Sequence, residues 1–316
     1  MKSNKMQNVL VTGGAGFIGS HLVETLVEDG INVVVVDDFS NGLRTNLESC
    51  TDKIKIIEFD ISRTDWNAID GFNPDVIFHL ATHPRSFSLQ DPKRNMEVNV
   101  LGTLNVLEFA RKKNSKVIYT SNSGISGDPK FFPVTEEHPI DCKTPYDANK
   151  LIGEHYAKIF FKMYGVPSVI FRLATVYGER QQVNIKLGWK PLIANFVQTL
   201  ENNQTPIINW DGEQTRDLIY VKDVVNCLIL GAKSNVKNAE MFLLSTNKET
   251  TVNDALKITC EITGKKVTPE YQEKLPGDLR RMVLSFEKAK KAFGYVPKYT
   301  LHEGVRLYVE WYRSQQ

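Results

Sequence analysis

Tyr146 and Lys150 stand four residues apart in the segment Thr144-Pro145-Tyr146-Asp147-Ala148-Asn149-Lys150. Thr144 suits a helix N-cap and Pro145 the first helical position, so a helix is expected to start here. The phenol and the ammonium then share one helix face with their side chains close together. An ammonium beside a phenol favours the phenolate and lowers a pKa that is ordinarily about 10. Such a tyrosine can take a proton from an alcohol near neutral pH. Taken alone, the same spacing is more often a surface pair worth a few tenths of a kcal/mol. A serine-rich strand end, Ser121-Asn122-Ser123, precedes the pair and supports a catalytic reading.

A second constellation lies near the N-terminus. Val9 to Thr12 reads as a buried strand that runs into Gly13-Gly14-Ala15-Gly16-Phe17-Ile18-Gly19 and then a helically periodic stretch from Ser20 to Val27. Gly13 allows a tight turn, Gly16 lets backbone N–H groups approach a pyrophosphate, and Gly19 lets the helix pack closely on the sheet. The helix start, with Phe17 and Ile18, turns unpaired donors and a positive dipole end toward phosphates. A further strand, Val33 to Val36, ends in Asp37, eighteen residues after Gly19. A carboxylate there accepts from both adenosine ribose hydroxyls and repels a 2′-phosphate. Asp38 follows and no Arg comes before Arg44, which favours NAD over NADP. A bare glycine turn is the commoner explanation of three glycines, but the strand–turn–helix–strand–acid order points to dinucleotide binding. Lys150 can then reach the nicotinamide ribose.

These groups must be positioned by a layered fold. Strand-like runs at Lys53–Phe59, Val76–Leu80, Lys116–Thr120 and Val169–Leu173 alternate with amphipathic segments, clearest at Glu97–Lys113 and Tyr146–Tyr164. This alternation predicts an α/β fold: a doubly wound parallel (Rossmann) sheet with helices on both faces. Ligands are expected at the C-terminal strand ends, which carry Gly13, Asp37, Asp60, Leu80-Ala81 and Ser121-Asn122-Ser123. The expected division is a nucleotide domain over residues 1–176, rejoined by about 214–245. A smaller mixed α/β substrate-binding domain then takes 177–213 and 246–316. Within it, 181–191 reads as irregular, Leu192–Leu200 and Asp223–Ala232 as helices, Trp210–Glu213 as a turn, Leu275–Asp278 as a loop, and a terminal helix starts at Leu301.

Composition bounds the alternatives. The 316 residues hold 39 Lys plus Arg against 37 Asp plus Glu, so no basic field suggests nucleic acid or a membrane surface. Arg111-Lys112-Lys113 sits where a helix C-terminus welcomes positive charge. Cys50, Cys142, Cys227 and Cys260 are far apart, so neither a zinc site nor a disulfide framework is expected and no metal is assigned. Residues 1–8 are polar, unlike a signal peptide, and apolar runs are strand-sized. A soluble cytoplasmic protein is the expectation. The segments Val98–Ala110 and Leu151–Met163 carry more apolar residues than one face can cover. A homodimer pairing both helices as a four-helix bundle would bury the excess, unless the substrate part covers them.

With these motifs in order, the chain resembles the extended short-chain dehydrogenase/reductases of the NAD-dependent epimerase/dehydratase type, close to the UDP-glucose 4-epimerase branch. The marks are Thr12–Gly19, Asp37–Gly42, Asp60-Ile61, His79-Leu80-Ala81, Asn99, Tyr146…Lys150, Arg172…Val176-Tyr177-Gly178, Gln214–Asp217 and Pro276-Gly277-Asp278, spread over nearly the whole chain. The resemblance implies adenosine contacts from Asp37, Asp38, Asn41, Gly42, Asp60 and Ile61, with Leu80, Ala81 and Thr82 lining the cofactor cleft and Asn99 beneath it. It also implies that Arg216 holds a nucleotide diphosphate through its two-pronged guanidinium and that Asp278 meets the uridine ribose. From the residues alone, Arg216-Asp217 reads as a surface ion pair.

Three positions depart from the family pattern. Asn122 stands at the usual catalytic Ser/Thr. Either Ser123 takes over the hydroxyl role through a small loop shift, or Asn122 donates an amide hydrogen bond, which polarises a carbonyl but relays no proton. Thr175 replaces an Asn that commonly contacts the diphosphate, and Leu275 an Arg. His83-Pro84-Arg85-Ser86 also departs from the usual sequence and is expected to border the sugar, with Arg85 toward the substrate. The dehydratases need an Asp-Glu pair after the Ser/Thr, and the decarboxylases a Glu at the second of those positions. Ser123-Gly124 offers neither, and elimination needs a general acid. The resemblance therefore implies an NAD-dependent nucleotide-sugar 4-epimerase (UDP-glucose/UDP-galactose or the N-acetyl analogue), with Tyr146 as base. Another oxidoreductase or epimerase of the family and a non-catalytic NAD-binding regulator remain open.

Overall fold

The computed structural model describes residues 6–183, 190–274 and 278–316. Residues 184–189 of the expected irregular stretch, and 275–277 with Leu275, lie outside the described residues. The elements follow in chain order. They run β1 (Asn8–Thr12), α1 (Phe17–Glu28), β2 (Asn32–Asp37), β3 (Ile54–Glu58), α2 (Asn67–Asp70), β4 (Val76–His79), α3 (Arg85–Ser88) and α4 (Pro92–Met96). A π-helical turn (Glu97–Leu101) leads into α5 (Gly102–Lys113), then β5 (Lys116–Asn122), α6 (Pro145–Tyr164), β6 (Ser168–Leu173) and β7 (Thr175–Tyr177). The remainder holds α7 (Leu192–Glu201), β8 (Ile207–Asn209), β9 (Thr215–Arg216), β10 (Leu218–Tyr220), α8 (Val221–Lys233) and β11 (Asn238–Leu244). It closes with β12 (Thr250–Thr251), α9 (Val252–Thr263), β13 (Glu270–Gln272), α10 (Glu287–Phe293) and α11 (Leu301–Ser314).

The central sheet has seven strands in the order β11-β6-β5-β4-β1-β2-β3, and the β3·β2·β1·β4·β5 pairs are parallel. This is the expected doubly wound Rossmann architecture. Its strands are apolar on both faces because helices cover both: Val9, Leu10, Val11, Val33, Val35, Ile77, Phe78 and Ile118 are wholly buried. The order reverses between β1 and β4, where Thr12 lies opposite His79. That reversal opens the ligand crevice of such sheets.

The chain forms two compact units. One comprises Met1–Ile125, Thr144–Arg172 and Val225–Phe242, and the other Ser126–Lys143, Leu173–Val224 and Leu243–Gln316. These bounds differ from the division expected from sequence, for reasons visible in the backbone. Val134 exchanges hydrogen bonds with Val283 and Ser285, which draws residues 126–143 into the second unit. β10 pairs with β7, so residues 218–220 also stay there, and the return to the first unit is short. The sequence reading also missed β11 as a strand and read Glu97–Lys113 as one periodic segment, which the π turn interrupts.

One buried ion pair ties the middle of the sheet together. Arg172 on β6 donates Nε and Nη2 to Glu154 on α6 at 2.8 Å each, and Ser121 on β5 donates to the same carboxylate at 2.7 Å. Glu154 has no exposed side-chain surface and Arg172 keeps 5%. Removing one partner leaves an uncompensated buried charge, so Arg172→Met is expected to cost ~3–5 kcal/mol of stability. Urea unfolding followed by circular dichroism checks this; a loss under ~1 kcal/mol would contradict the assigned burial.

Candidate active site

The glycine turn closes against the strand next to it. Gly13 has φ +72°, and a Cβ there would lie 2.6 Å from the Ala81 nitrogen, so only glycine lets the ends of β1 and β4 meet this closely. Gly16 is the N-cap of α1 and supplies no side-chain cap, so among the described residues the first helical N–H groups, from Phe17 and Ile18, have no side-chain cap. The buried Asp37 carboxylate accepts from Ala15 N and Phe39 N, both at 2.9 Å. Burial pushes its pKa up, and the two backbone bonds oppose the shift.

Beyond Asp37 lies a charged cluster that the sequence reading did not anticipate. Arg94 on α4 pairs with Asp60 at 2.8 Å and Asp38 at 3.6 Å, and donates to Ser62 Oγ at 3.0 Å. Asp60 also accepts from Ser62 N and Oγ; these bonds and Arg94 outweigh its partial burial and hold its pKa below the usual carboxylate range. Ile61 is buried beside Gly102. Asn41 is exposed and Gly42 buried against Ala15 and Asp37.

The loop after β4 is held by amides. Asn99, in the π turn, accepts at Oδ1 from Thr82 Oγ1 at 2.8 Å and His83 N at 3.0 Å, and donates to His83 O at 3.0 Å. Asn95 takes bonds from Asn99 and Asn149 and donates to His83 O. This array fixes Leu80, Ala81 and Thr82 at the end of β4. Arg85 is exposed on α3.

α6 starts as expected. Thr144 caps it through Asp147 N, and Asp147 Oδ2 accepts back from Thr144, a capping box with Pro145 at the first helical position. Tyr146, Lys150 and Glu154 follow at four-residue spacing on one face. The expectation that Lys150 lowers the Tyr146 pKa is corrected by the structure. Burial is the largest influence on the phenol and pushes it above the ordinary tyrosine range, while Thr82 and Arg85 act downward and Asp147 upward. Lys150 is itself almost fully buried, its Nζ 4.4 Å from the centre of the Tyr119 ring. Burial lowers its pKa to about 7 against the opposing pull of Glu154. His79, bonded to Thr12 and Thr103, is held neutral by burial and by the Lys150 charge.

At the end of β5, Asn122 and Ser123 are both partly exposed. Asn122 Nδ2 and Asp147 Oδ1 are buried and have no hydrogen-bond partner among the described residues. A Cβ on Gly124 would lie 2.6 Å from both Asn122 Oδ1 and Asp147 Oδ1, so a side chain at 124 would have to shift both.

In the second unit, Arg216 and Asp278 are brought together, Nη2 to Oδ1 at 2.6 Å, with Arg216 also donating to Thr215 O and Leu279 O. Arg216-Asp217 is not the surface pair that the residues alone suggest. Asp217 is wholly buried and accepts from Thr246 N and Oγ1, Asn247 N and Leu284 N. Thr175 lies on β7, its N bonded to Asp217 O.

The sequence model of the GDP-mannose 4,6-dehydratase family matches residues 10–308. The chain belongs to this family of NAD-dependent epimerases and dehydratases. Within the family it is 35% identical to the UDP-glucose 4-epimerase of Mycolicibacterium smegmatis, over 97% of this chain and 98% of that protein. It is 32% identical to UDP-glucuronic acid decarboxylase 6 of Arabidopsis thaliana, over 96% of this chain and 88% of that one. Among solved structures it resembles the UDP-glucose 4-epimerase of Thermotoga maritima determined with UDP-glucose, at TM-score 0.92 and 35% identity over 98% and 99% of the two chains. It also resembles the UDP-glucose 4-epimerase of Thermus thermophilus in complex with NAD, at TM-score 0.88 and 33% identity over 98% and 100%.

NAD is the cofactor of this family. The residues fit it: an uncapped helix N-terminus adjoins a glycine turn for the pyrophosphate, and a carboxylate stands at the end of β2. Burial of Lys150 gives a pH-dependent test. Its pKa of about 7 lies below the 10.5 of an exposed lysine, so between these values the unfolded chain binds more protons and folding stability rises with pH. Lys150→Met removes this slope. From pH 7 to 10.5 the parent is expected to gain stability relative to the variant, and parallel curves would contradict the buried placement.

Proposed function

We propose that the protein is an NAD-dependent nucleotide-sugar 4-epimerase acting on UDP-glucose and UDP-galactose or their N-acetyl analogues. The observation that carries this reading is the crowding at Gly124. A dehydratase needs an Asp-Glu pair after the Ser/Thr position and a decarboxylase a Glu at the second of those positions; here Ser123-Gly124 stands there, and a Cβ on Gly124 would crowd Asn122 Oδ1 and Asp147 Oδ1. Asp147 does not substitute: it has no exposed surface and its Oδ2 is committed to the Thr144 cap. Without a general acid on the sugar, elimination lacks its proton donor, whereas reversible oxidation at one carbon needs only a base and a hydride acceptor. The similarity to 4-epimerases at 35% identity over nearly full length supports the same reading.

NAD, when bound, supplies the acceptor and donor of the sugar C4 hydride. Tyr146 takes the proton of the C4 hydroxyl and returns it to C4 oxygen once the 4-keto sugar has turned its other face. Lys150 holds the nicotinamide ribose. Ser123 or Asn122 donates a hydrogen bond to the C4 oxygen. Gly13, Gly16, Phe17, Ile18 and Gly19 hold the pyrophosphate, and Asp37, Asp38, Asn41, Gly42, Asp60 and Ile61 the adenosine. Arg216, with Asp278 and Thr175, anchors the diphosphate and nucleoside, and Arg85 borders the sugar. Incubation with a panel of nucleotide sugars, resolved by NMR, tests the assignment. Interconversion at C4 without net reduction of NAD is expected, and loss of water or carbon dioxide would overturn it.

Two variants probe the assigned roles. Tyr146→Phe is expected to keep the fold and NAD binding but lose at least ~10²-fold in turnover, the usual worth of a positioned base. Asp37→Ser weakens NAD and relieves repulsion of NADP in calorimetric titration; a parent protein that prefers NADP contradicts the role of Asp37.

A homodimer through α6 and the segment Val98–Ala110 is also proposed. Ile152 (39% exposed), Ile159 (48%), Met163 (69%) and Leu101 (37%) leave an apolar surface on these helices. Light scattering is expected to show twice the 35.9 kDa chain mass, and a charge at Phe161 to return it to the monomer.

A further inference from the structure

Along the sequence, the strand end at Asp37 is followed by no arginine before Arg44. The fold brings another arginine there from much further along the chain. Arg94 on α4 places Nη2 2.8 Å from Asp60 Oδ2 and 3.6 Å from Asp38 Oδ2. Its Nη1 lies 3.0 Å from Ser62 Oγ and 3.5 Å from Glu97 Oε2. The backbone that carries it is fixed, because Arg94 N donates to the Asp91 side chain that caps α4. Asp38 is fixed as well: its Oδ1 accepts from Ser40 N at 3.0 Å and Ser40 Oγ at 2.6 Å, which leaves Oδ2 on the side of the guanidinium.

The two contacts of Nη2 differ in kind. The one to Asp60 is a hydrogen bond, whereas 3.6 Å to Asp38 is an ion pair without one. A guanidinium has five N–H donors. Among the described residues, Asp60 and Ser62 accept hydrogen bonds from this one. Donor capacity therefore remains, and 28% of the Arg94 side chain is exposed. Asp38 covers the guanidinium with a charge rather than with a bond. Arg44 is nearer in sequence, but it pairs with Glu58 and lies 4.0 Å from the centre of the Phe39 ring.

We propose that Arg94 is a specificity-determining residue for the cofactor: Asp38 occupies it, and with Asp38 neutralised it receives the 2′-phosphate of NADP. In folds of this kind a carboxylate near the end of the second strand meets the adenosine 2′-hydroxyl, and a nearby arginine is what accommodates a 2′-phosphate. Here such an arginine is already in place. Asp37 repels the phosphate directly, and Asp38 does so by holding the cation that would offset the repulsion. Preference for NAD is then set by the balance of acids and arginine at this strand end, not by a missing cation. The inference rests on the placement of adenosine at the ends of β2 and β3, and not on the sugar chemistry.

Calorimetric titration of the cofactor-free protein with NAD and with NADP, without sugar, tests it. Asp38→Asn keeps the acceptor that holds Ser40 and removes the charge. This variant is expected to gain about tenfold in affinity for NADP relative to NAD, the usual worth of a hydrogen bond to a charged group. The gain is expected to shrink as salt is added. Combined with Arg94→Met the gain disappears. Combined with Arg94→Lys, which keeps the charge but not the fork, part of it stays. Circular dichroism verifies the fold of each variant, and the lysine variant carries the test if the methionine variant unfolds.

A gain undiminished by the Arg94 substitutions overturns the proposal, as does a gain lost in Arg44→Met instead, or no gain at all in Asp38→Asn. Asp37→Ser controls for the placement itself: unchanged affinity for both dinucleotides would move adenosine elsewhere and take the proposal with it. A protein that turns over no nucleotide sugar fails the epimerase reading alone, since these titrations need no substrate.

Discussion

A carboxylate with no exposed surface has to be held by the groups around it, and in this protein Glu154 is that carboxylate. Both of its oxygens are taken, one by the Nε of Arg172 together with Ser121 and the other by Arg172 Nη2. Buried ion pairs contribute little net stability, but they tolerate almost no displacement, because losing a partner exposes the full cost of the desolvated charge. The pair therefore sets α6 against β5 and β6 at one depth and one rotation. Four and eight residues earlier on the same face stand Lys150 and Tyr146, so the register of the ion pair is also the register of these two side chains. It places Lys150 against Tyr119, where burial brings the lysine down to about 7, with Glu154 keeping it from falling further.

The surroundings of Tyr146 are built largely from outside its own helix. Thr82 and Arg85 follow β4, and the amides that hold this loop come from α4, the π turn and α6 through Asn95, Asn99 and Asn149. The π turn is part of this construction, since such turns are seldom kept without a role and this one carries Asn99. A loop fixed by buried amides spends little reorganisation on meeting a ligand, because its dipoles are already oriented. The same economy is visible at Gly13, where the absence of a Cβ lets two strand ends meet at the sheet's reversal point.

The end of β5 is where the chain parts from the pattern of its family. By the family resemblance Asn122 stands where a hydroxyl is usual, Gly124 carries no carboxylate, and Asp147 is committed to the cap of α6. Each change narrows the reactions the site can support, and in the proposed reading proton transfer falls to Tyr146. The ends of β2 and β3 show the opposite tendency. There Arg94 adds a cation to a group of acids and holds Asp38 and Asp60 in place by charge.

Local chemistry explains what the sequence by itself determined. The strands β1 to β6, the glycine turn, the carboxylate at Asp37 and the start of α6 at Thr144-Pro145 depend on neighbours within a few residues: periodicity, capping and φ preference. The order of such signals also made the family legible. Tertiary structure decided whatever depends on partners far along the chain. Asp217 reads as half of a surface pair, but four donors from residues 246, 247 and 284 make it a buried anchor. Residues 126–143 follow the glycine turn's domain in sequence, yet Val134 bonds to 283 and 285 and carries them into the second unit. Glu154 was visible only as a helix residue four positions past Lys150, because nothing local marks Arg172 as its partner. The Tyr146 pKa, read from the adjacent lysine as lowered, is raised instead, because desolvation is a property of everything packed around a group and no pair spacing records it.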